Sequence, residues 1–489
     1  MTVLEVPISQ GMYQFTDSVI GTQECTNLIP VVQQAKVLSQ GQLIGTPGIR
    51  QITTSGDTVD EINRGFHVVS GIPYVIQGNT LYRLDRSFST GSETFSLVAV
   101  GSPAISITGE GRLSTSDNGT QLMMLDPGGN GFIYNKDTDA LQRILTGPFA
   151  VGSGFSPQHV VFIDGYFAVN TEEKVWFVSY LNDGTQWNIL DFGSAESDPD
   201  SIVVPVVHNN QIFMLGSETT EAFQNIGGSG FPFQRSNIFL DKGCFAPFSV
   251  VSVGQKFYMI GGGVDEQPSI YAFSEGSYKR ISNNAIDNIL ESFTDSELES
   301  SFSLSWSSNG QIFVSFTISD RTLSFNTETG VWFEQKSSIP DENGDYTQDR
   351  WRVNHIVTAY GYHIVGDRFD GRIGILEDDI YTEYDNNIFR VFTTMPLSNS
   401  GKSFRIAYAE LTMQSGIGNG VVDPVVSMAI SEDLRTFQYE KNRRIGMVGV
   451  YKQRTIWRKL GRVPRFAIMR FRITDPIKTI IFKLELDIV

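Results

Sequence analysis

The side chains best able to do chemistry are few and scattered. Five histidines stand at His67, His159, His208, His355 and His363, most of them at expected strand starts or turns, and two cysteines at Cys25 and Cys244. No HExxH or paired-cysteine spacing joins them, so the sequence carries no zinc signature. His355 and His363 flank one hairpin pattern and could meet across it, but two ordinary strand residues are the expected outcome. The cysteines read as buried small apolar side chains. Residues 396–403, Pro-Leu-Ser-Asn-Ser-Gly-Lys-Ser, end like a phosphate-binding loop. Pro396, however, takes the place of the first glycine, and the segment runs into a strand pattern (Phe404-Arg405-Ile406-Ala407) where the motif needs a helix. No catalytic residue, metal ligand or cofactor is assigned, and the chain is expected not to be an enzyme.

Charge is more informative. The 489 residues hold 37 Lys and Arg against 54 Asp and Glu, a net charge of −17. Between Arg435 and Arg472 lie twelve basic residues and a single acid, Glu440, a local balance of +11 that leaves −28 for the rest. Ten of them are candidate contact residues: Arg443, Arg444, Lys452, Arg454, Arg458, Lys459, Arg462, Arg465, Arg470 and Arg472. Arg470 and Arg472 alternate with Met469, Phe471 and Ile473, which gives a strand one basic and one apolar face. Three counter-charges are open: the acidic surface of a neighbouring subunit, DNA phosphates, or solvent. The acidity of the remaining chain favours the first.

The elements that position these residues follow a repeat of apolar strand, tight polar turn and apolar strand. Turns centre near residues 71, 118, 165, 210, 254, 310 and 361, at intervals of 44–56 residues. Asn-Gly and Asp-Gly at several of them are the residues that two-residue hairpin turns demand. The interval suits four-stranded propeller blades of roughly 40–50 residues; a large β-sandwich is the alternative. Gly261-Gly262-Gly263 is similar to the glycine run of kelch blades. Ser116-Asp117-Asn118-Gly119 and Ser431-Glu432-Asp433 resemble the Asp-box turns of sialidases, which are rim structure and supply no acid pair. Ile286, Ile289, Leu290 and Phe293 recur at helical spacing, and Thr294 with Glu297 forms a capping-box pattern. The expected fold is all-β: an N-terminal arm or first strands (1–45), a propeller of six or seven blades (46–379, with a helical insertion about 281–300), and an antiparallel sandwich-like domain (380–489, with the basic segment 435–472). No apolar run approaches the ~18–20 residues of a membrane span, and no leader pattern opens the chain, so a soluble protein made in a cytosol is expected.

Thr455-Ile456-Trp457-Arg458-Lys459-Leu460-Gly461-Arg462, followed by a basic-apolar strand, resembles the closing motif of the packaged-DNA stabilisation proteins of short-tailed bacteriophages, the tail hub or nozzle proteins. Pro47-Gly48-Ile49, Lys242-Gly243 and the helix from Ile289 to Thr294 continuing into Glu297-Leu298 are similar to family landmarks in the same order. The resemblance covers the chain from about residue 25 onward and is weakest at 380–430. It implies a structural virion protein, made in the host bacterial cytoplasm and placed in the virion tail. It further implies a ring of about six copies below the portal and its adaptor, carrying a plug or needle, with tailspikes or fibres possible at its flank. The ring would retain the packaged genome and surround double-stranded DNA as it leaves, without sequence-specific binding. A propeller glycan-binding protein or glycosidase is the alternative function.

Overall fold

The computed structural model describes every residue except 1, 15–21, 33–40, 54–61, 90, 104–105, 196–199, 229, 341–344, 418–422 and 489. Among the described residues, seven antiparallel sheets form the blades of a propeller. Their innermost strands are Asn63–Val69, Ser114–Asp117, Pro157–Ile163, Ile202–His208, Val251–Val253, Phe302–Ser308 and Val353–Ala359. All seven expected turns join an innermost strand to the second strand of its blade. Both central residues have positive φ at Ser70-Gly71, Asp164-Gly165, Asn209-Asn210, Asn309-Gly310 and Tyr360-Gly361. That geometry matches the right-handed twist of the flanking strands and pins their register. His208 therefore lies opposite Gln211, and Ala359 opposite Tyr362.

The ring closes through the N-terminal part of the chain. Gly48–Gln51 supplies the outer strand of the seventh blade, pairing antiparallel with Ile373–Glu377. Arg50 grips Glu377 across this joint with two nitrogens, one at 2.5 Å. Apolar clusters fill the seams between blades. Leu122, Met124 and Phe132 pack with Tyr74 and Ile76 between the first two, and Ile364 and Ile373 pack with Phe66 and Val75 between the seventh and the first. In the fifth blade, Gly261 allows a backbone approach: a Cβ there would sit 1.9 Å from the Gly243 carbonyl oxygen. The helical insertion between the fifth and sixth blades comprises Asn284–Glu291, capped by Asn283, and Asp295–Glu299, opened by the Thr294–Glu297 capping box.

The C-terminal sandwich is assembled from both ends of the chain. One sheet runs Thr455–Val463, Phe404–Met413, Ile480–Ile488, Gly41–Gly45 and Leu28–Val32, with Thr2–Val6 also on Ile480–Ile488. The other runs Lys441–Arg444, Val425–Ser431, Phe466–Ile473, Arg390–Thr393 and Cys25–Thr26. Cys25–Thr26 then pairs with Trp332–Pro340, the outer strand of the sixth blade, so this sheet is continuous with the propeller. Residues 15–21 and 33–40 of the first 45 lie outside the described residues.

Candidate functional site

The basic segment occupies the edge and outer faces of the sandwich. Phe466–Ile473 behaves as its alternation predicts: Met469, Phe471 and Ile473 are buried, while Arg470 and Arg472 face the other way. These two arginines are held inside the chain. Glu440 accepts from Arg472 at 2.6 Å and lies 3.8 Å from Arg470, whose guanidinium also covers the Phe437 ring. The apparent lack of acidic partners near the segment is thus corrected by the fold, which brings partners from outside it. Glu410 takes a bidentate contact from Arg454 at 2.8 and 2.6 Å, and Asp423 pairs with Arg444 at 3.2 Å. The Arg454 hydrogen bonds hold the Glu410 carboxyl below its usual range. Arg443 donates to the Ile456 carbonyl.

Lys452, Arg458, Lys459, Arg462 and Arg465 make no ion pair among the described residues, and all five are exposed. Arg458, Lys459 and Arg462 project from the edge strand Thr455–Val463, whose buried face carries Trp457 and Val463. Arg462 lies directly opposite Arg405 in the register and donates to Ser403 Oγ at 2.7 Å. Like charges facing each other across a ladder are unfavourable, so this edge keeps a charge that internal pairing does not relieve. Beside it, exposed Met447, Val448, Val450 and Tyr451 form an apolar tip between Arg444 and Arg454. No pattern in the sequence singled out that tip, because an exposed loop has no periodicity.

The remaining candidates resolve into structure. All five histidines lie in strands, His363 near a strand start and His208 at a strand end beside its turn. His355 stands opposite Gly366 and His363 opposite Thr358, so the two do not meet across their hairpin. His363 instead bonds Ser307 Oγ, and His67 bonds Asp117 Oδ2 of the next blade at 2.7 Å. No group of three or more His, Cys, Asp or Glu side chains could hold a metal among the described residues. Cys25 and Cys244 are buried and free, and burial pushes the Cys244 thiol up to about 12. Ser400 and Gly401 turn the chain directly into the strand Phe404–Met413, so no helix follows the phosphate-loop-like run. Asp433 and Asp117 each cap their own turn, accepting backbone N–H groups at 2.7 Å. No helix among the described residues is long and apolar enough to cross a membrane.

His159 sits buried against the Phe248 ring, and burial lowers its pKa from 6.5 to about 4. The unfolded chain therefore binds the proton first, so this residue costs stability as pH falls through the window from 6.5 towards 4. The linked loss is about 3 kcal/mol at pH 4. Urea denaturation at pH 7 and pH 4 is expected to show a smaller acid loss for His159→Gln than for the wild type.

A family model described as the β-propeller of bacteriophage P22 Gp10 matches residues 4–381, and one described as its β-sandwich matches residues 389–489. Among curated proteins, the tail hub protein gp10 of Salmonella phage P22 is 21% identical over 454 residues, covering 89% of each chain. Solved propellers are similar in part. The N-terminal domain of Nup159 covers 73% of this chain and all of its own, at 9% identity and a TM-score of 0.39. The WD40 propeller of Doa1 covers 68% of this chain and 97% of its own, at 13% identity and a TM-score of 0.38. Superpositions this partial carry no functional argument.

Proposed function

Since the chain belongs to the bacteriophage P22 Gp10 family, matched over both propeller and sandwich, we propose that it is a structural tail hub protein of a short-tailed phage. In this reading about six copies form a ring below the portal and adaptor, retain packaged DNA, and leave an axial passage for its exit. The observation that carries it is the joint match of the two domains, in order, across almost the whole chain.

The surface chemistry supports it. Arg458, Lys459, Arg462 and Arg465 present unrelieved positive charge, while the rest of the chain is strongly acidic. An exposed basic edge on an otherwise strongly acidic chain suits heterologous contact between copies, which closes into rings when the rotation allows. The propeller's own axial cavity is about 370 Å3, a small-molecule volume, so DNA would pass through the lumen of the ring rather than through a propeller. Acidic walls there would let phosphate slide without sticking.

Sizing by analytical ultracentrifugation and electron microscopy tests the proposal. The purified chain alone is expected to sediment as a monomer and to form a ring when portal and adaptor are added. A chain that stays monomeric with both present, or that hydrolyses a host polysaccharide by itself, overturns it.

A further inference from the structure

At the end where its innermost strands begin, the propeller axis opens into a vestibule of about 1100 Å3. Phe245, Pro247, Phe248, Pro268 and Leu298 supply its apolar lining. Carboxylates supply the rim. Glu172 and Glu266 come from the turns after the second strands of the third and fifth blades, and Asp295 and Glu299 from the short helix Asp295–Glu299. Glu266 pairs with Lys242 at 2.8 Å, and Glu172 accepts from Gln158 at 3.1 Å. The carboxylates of Asp295 and Glu299 take no ion pair or hydrogen bond among the described residues. They stand four apart on one helix, where like charges repel, and Glu299 closes that helix at its negative end. Arg112, the one Lys or Arg that lines the vestibule, is engaged by the Asn354 carbonyl at 2.5 Å and by the Phe302 ring at 4.0 Å.

The sandwich carries a surface of the opposite character. Its apolar tip lies in the loop that joins Lys441–Arg444 to the edge strand Thr455–Val463. The turn is braced: the Val450 N–H donates to the Met447 carbonyl at 2.9 Å, and Ser415 Oγ donates to the Tyr451 carbonyl at 2.9 Å. The Tyr451 ring lies so close over Gly416 that a Cβ there would come within 2.6 Å of it. Val448 and Tyr451 are nonetheless 56% and 71% exposed. Unpaired Lys452 flanks the tip, and Arg458, Lys459 and Arg462 continue the charge along the edge strand. From Lys441 to Thr474 the sequence holds no acid.

We propose that the tip and basic edge of one copy seat in the acidic vestibule of the next. Val448 and Tyr451 meet the Phe and Pro lining, while Lys452 and Arg458 face Asp295 and Glu299. This joint rests on the ring proposed above and identifies the acidic surface that the basic edge meets. Two different patches in contact make a heterologous joint, which each copy repeats until the ring closes. Charges that repel within a copy, Asp295 with Glu299 and Arg405 with Arg462, gain opposite charge from the neighbour. An anionic lipid surface is the other partner that suits an apolar tip with a basic collar, but it leaves the unrelieved carboxylates of the vestibule without a partner.

Assembly of the full chain with portal and adaptor, scored by electron microscopy, tests the joint. Asp295→Lys/Glu299→Lys is expected to weaken ring formation about tenfold or more, with the fold kept because both positions are exposed. Adding Arg458→Glu, Arg462→Glu and Arg465→Glu to that variant is expected to restore most of the yield, since both signs are then exchanged. In a second measurement, Val448→Cys and Glu299→Cys chains are mixed, assembled and oxidised. Cys25 and Cys244 are buried, so the new thiols are the accessible ones. Disulfide-linked dimers are expected from the mixture and from neither variant alone. Wild-type ring yield from the Asp295→Lys/Glu299→Lys chain, a loss that the added reversals do not restore, or rings without the mixed cross-link overturn the joint and leave the hub reading standing. Flotation of the wild-type chain with phosphatidylglycerol vesicles, lost in Val448→Asp, would assign the tip to a lipid surface and overturn it as well. A wild-type chain that forms no ring with portal and adaptor removes both the hub reading and the joint.

Discussion

Asp367→Ala is expected to cost about 3–5 kcal/mol of stability, a large loss for a single side chain. Asp367 ends the second strand of the seventh blade, and its side chain is wholly buried. Its Oδ1 accepts from Arg352 Nε at 3.2 Å and from the Arg368 backbone at 2.7 Å; its Oδ2 accepts from Arg352 Nη2 at 2.5 Å and Arg372 Nη2 at 3.3 Å. Both guanidiniums stand 4.6 Å from the Tyr384 ring, and Asn63 of the first blade donates to the Asp367 carbonyl. The cluster therefore ties the last blade to the first and to the chain leaving the propeller. Removing the carboxylate strands Arg352, whose side chain is 3% exposed, without its hydrogen-bonded counter-ion, leaving only the less direct influence of Glu383. Chemical denaturation of the single variant checks the loss. The double variant Asp367→Ala/Arg352→Met is expected to regain much of it, because the stranded charge goes too. A single variant within about 1 kcal/mol of wild type would show that the cluster does not close the ring.

The hairpins of the propeller were legible because left-handed turns demand Gly, Asn or Asp at fixed places, and Asp164-Gly165 or Asn309-Gly310 cannot hide among other patterns. Six or seven blades were expected, and seven are present among the described residues. Closure was not legible. Gly48–Gln51 finds its partner strand more than 300 residues away, as the Arg50–Glu377 separation of 327 shows, and such pairing leaves no local period. The same reason hid the destination of the first strands, which between Thr2 and Gly45 complete the sandwich. In the basic segment, the two faces of Phe466–Ile473 were legible from alternation alone. The acids at Glu410 and Asp423 were not, since a count along the chain misses partners brought in by neighbouring strands.

Simultaneous reversal of Arg458, Arg462 and Arg465 to glutamate is expected to abolish ring formation, weakening association by more than about 100-fold, while leaving the monomer folded. These side chains are exposed, so their removal leaves no buried group unpaired, and Arg462→Glu would face Arg405 with an attractive charge. Folding therefore has little to lose. Association has much to lose, because each reversed residue replaces attraction to an acidic neighbour by repulsion. Reversing Arg470 or Arg472 instead would break their pairs with Glu440 and confound assembly with stability. Salt gives an independent handle: exposed charges are screened beyond ~8 Å at physiological ionic strength, so wild-type assembly should slow as salt rises. The triple variant, in which attraction has become repulsion, should respond in the opposite sense, with any residual association strengthened as salt rises. Rings formed by the triple variant at wild-type yield would instead mean that this edge faces only water, and the interface would have to be sought at the apolar tip from Met447 to Tyr451.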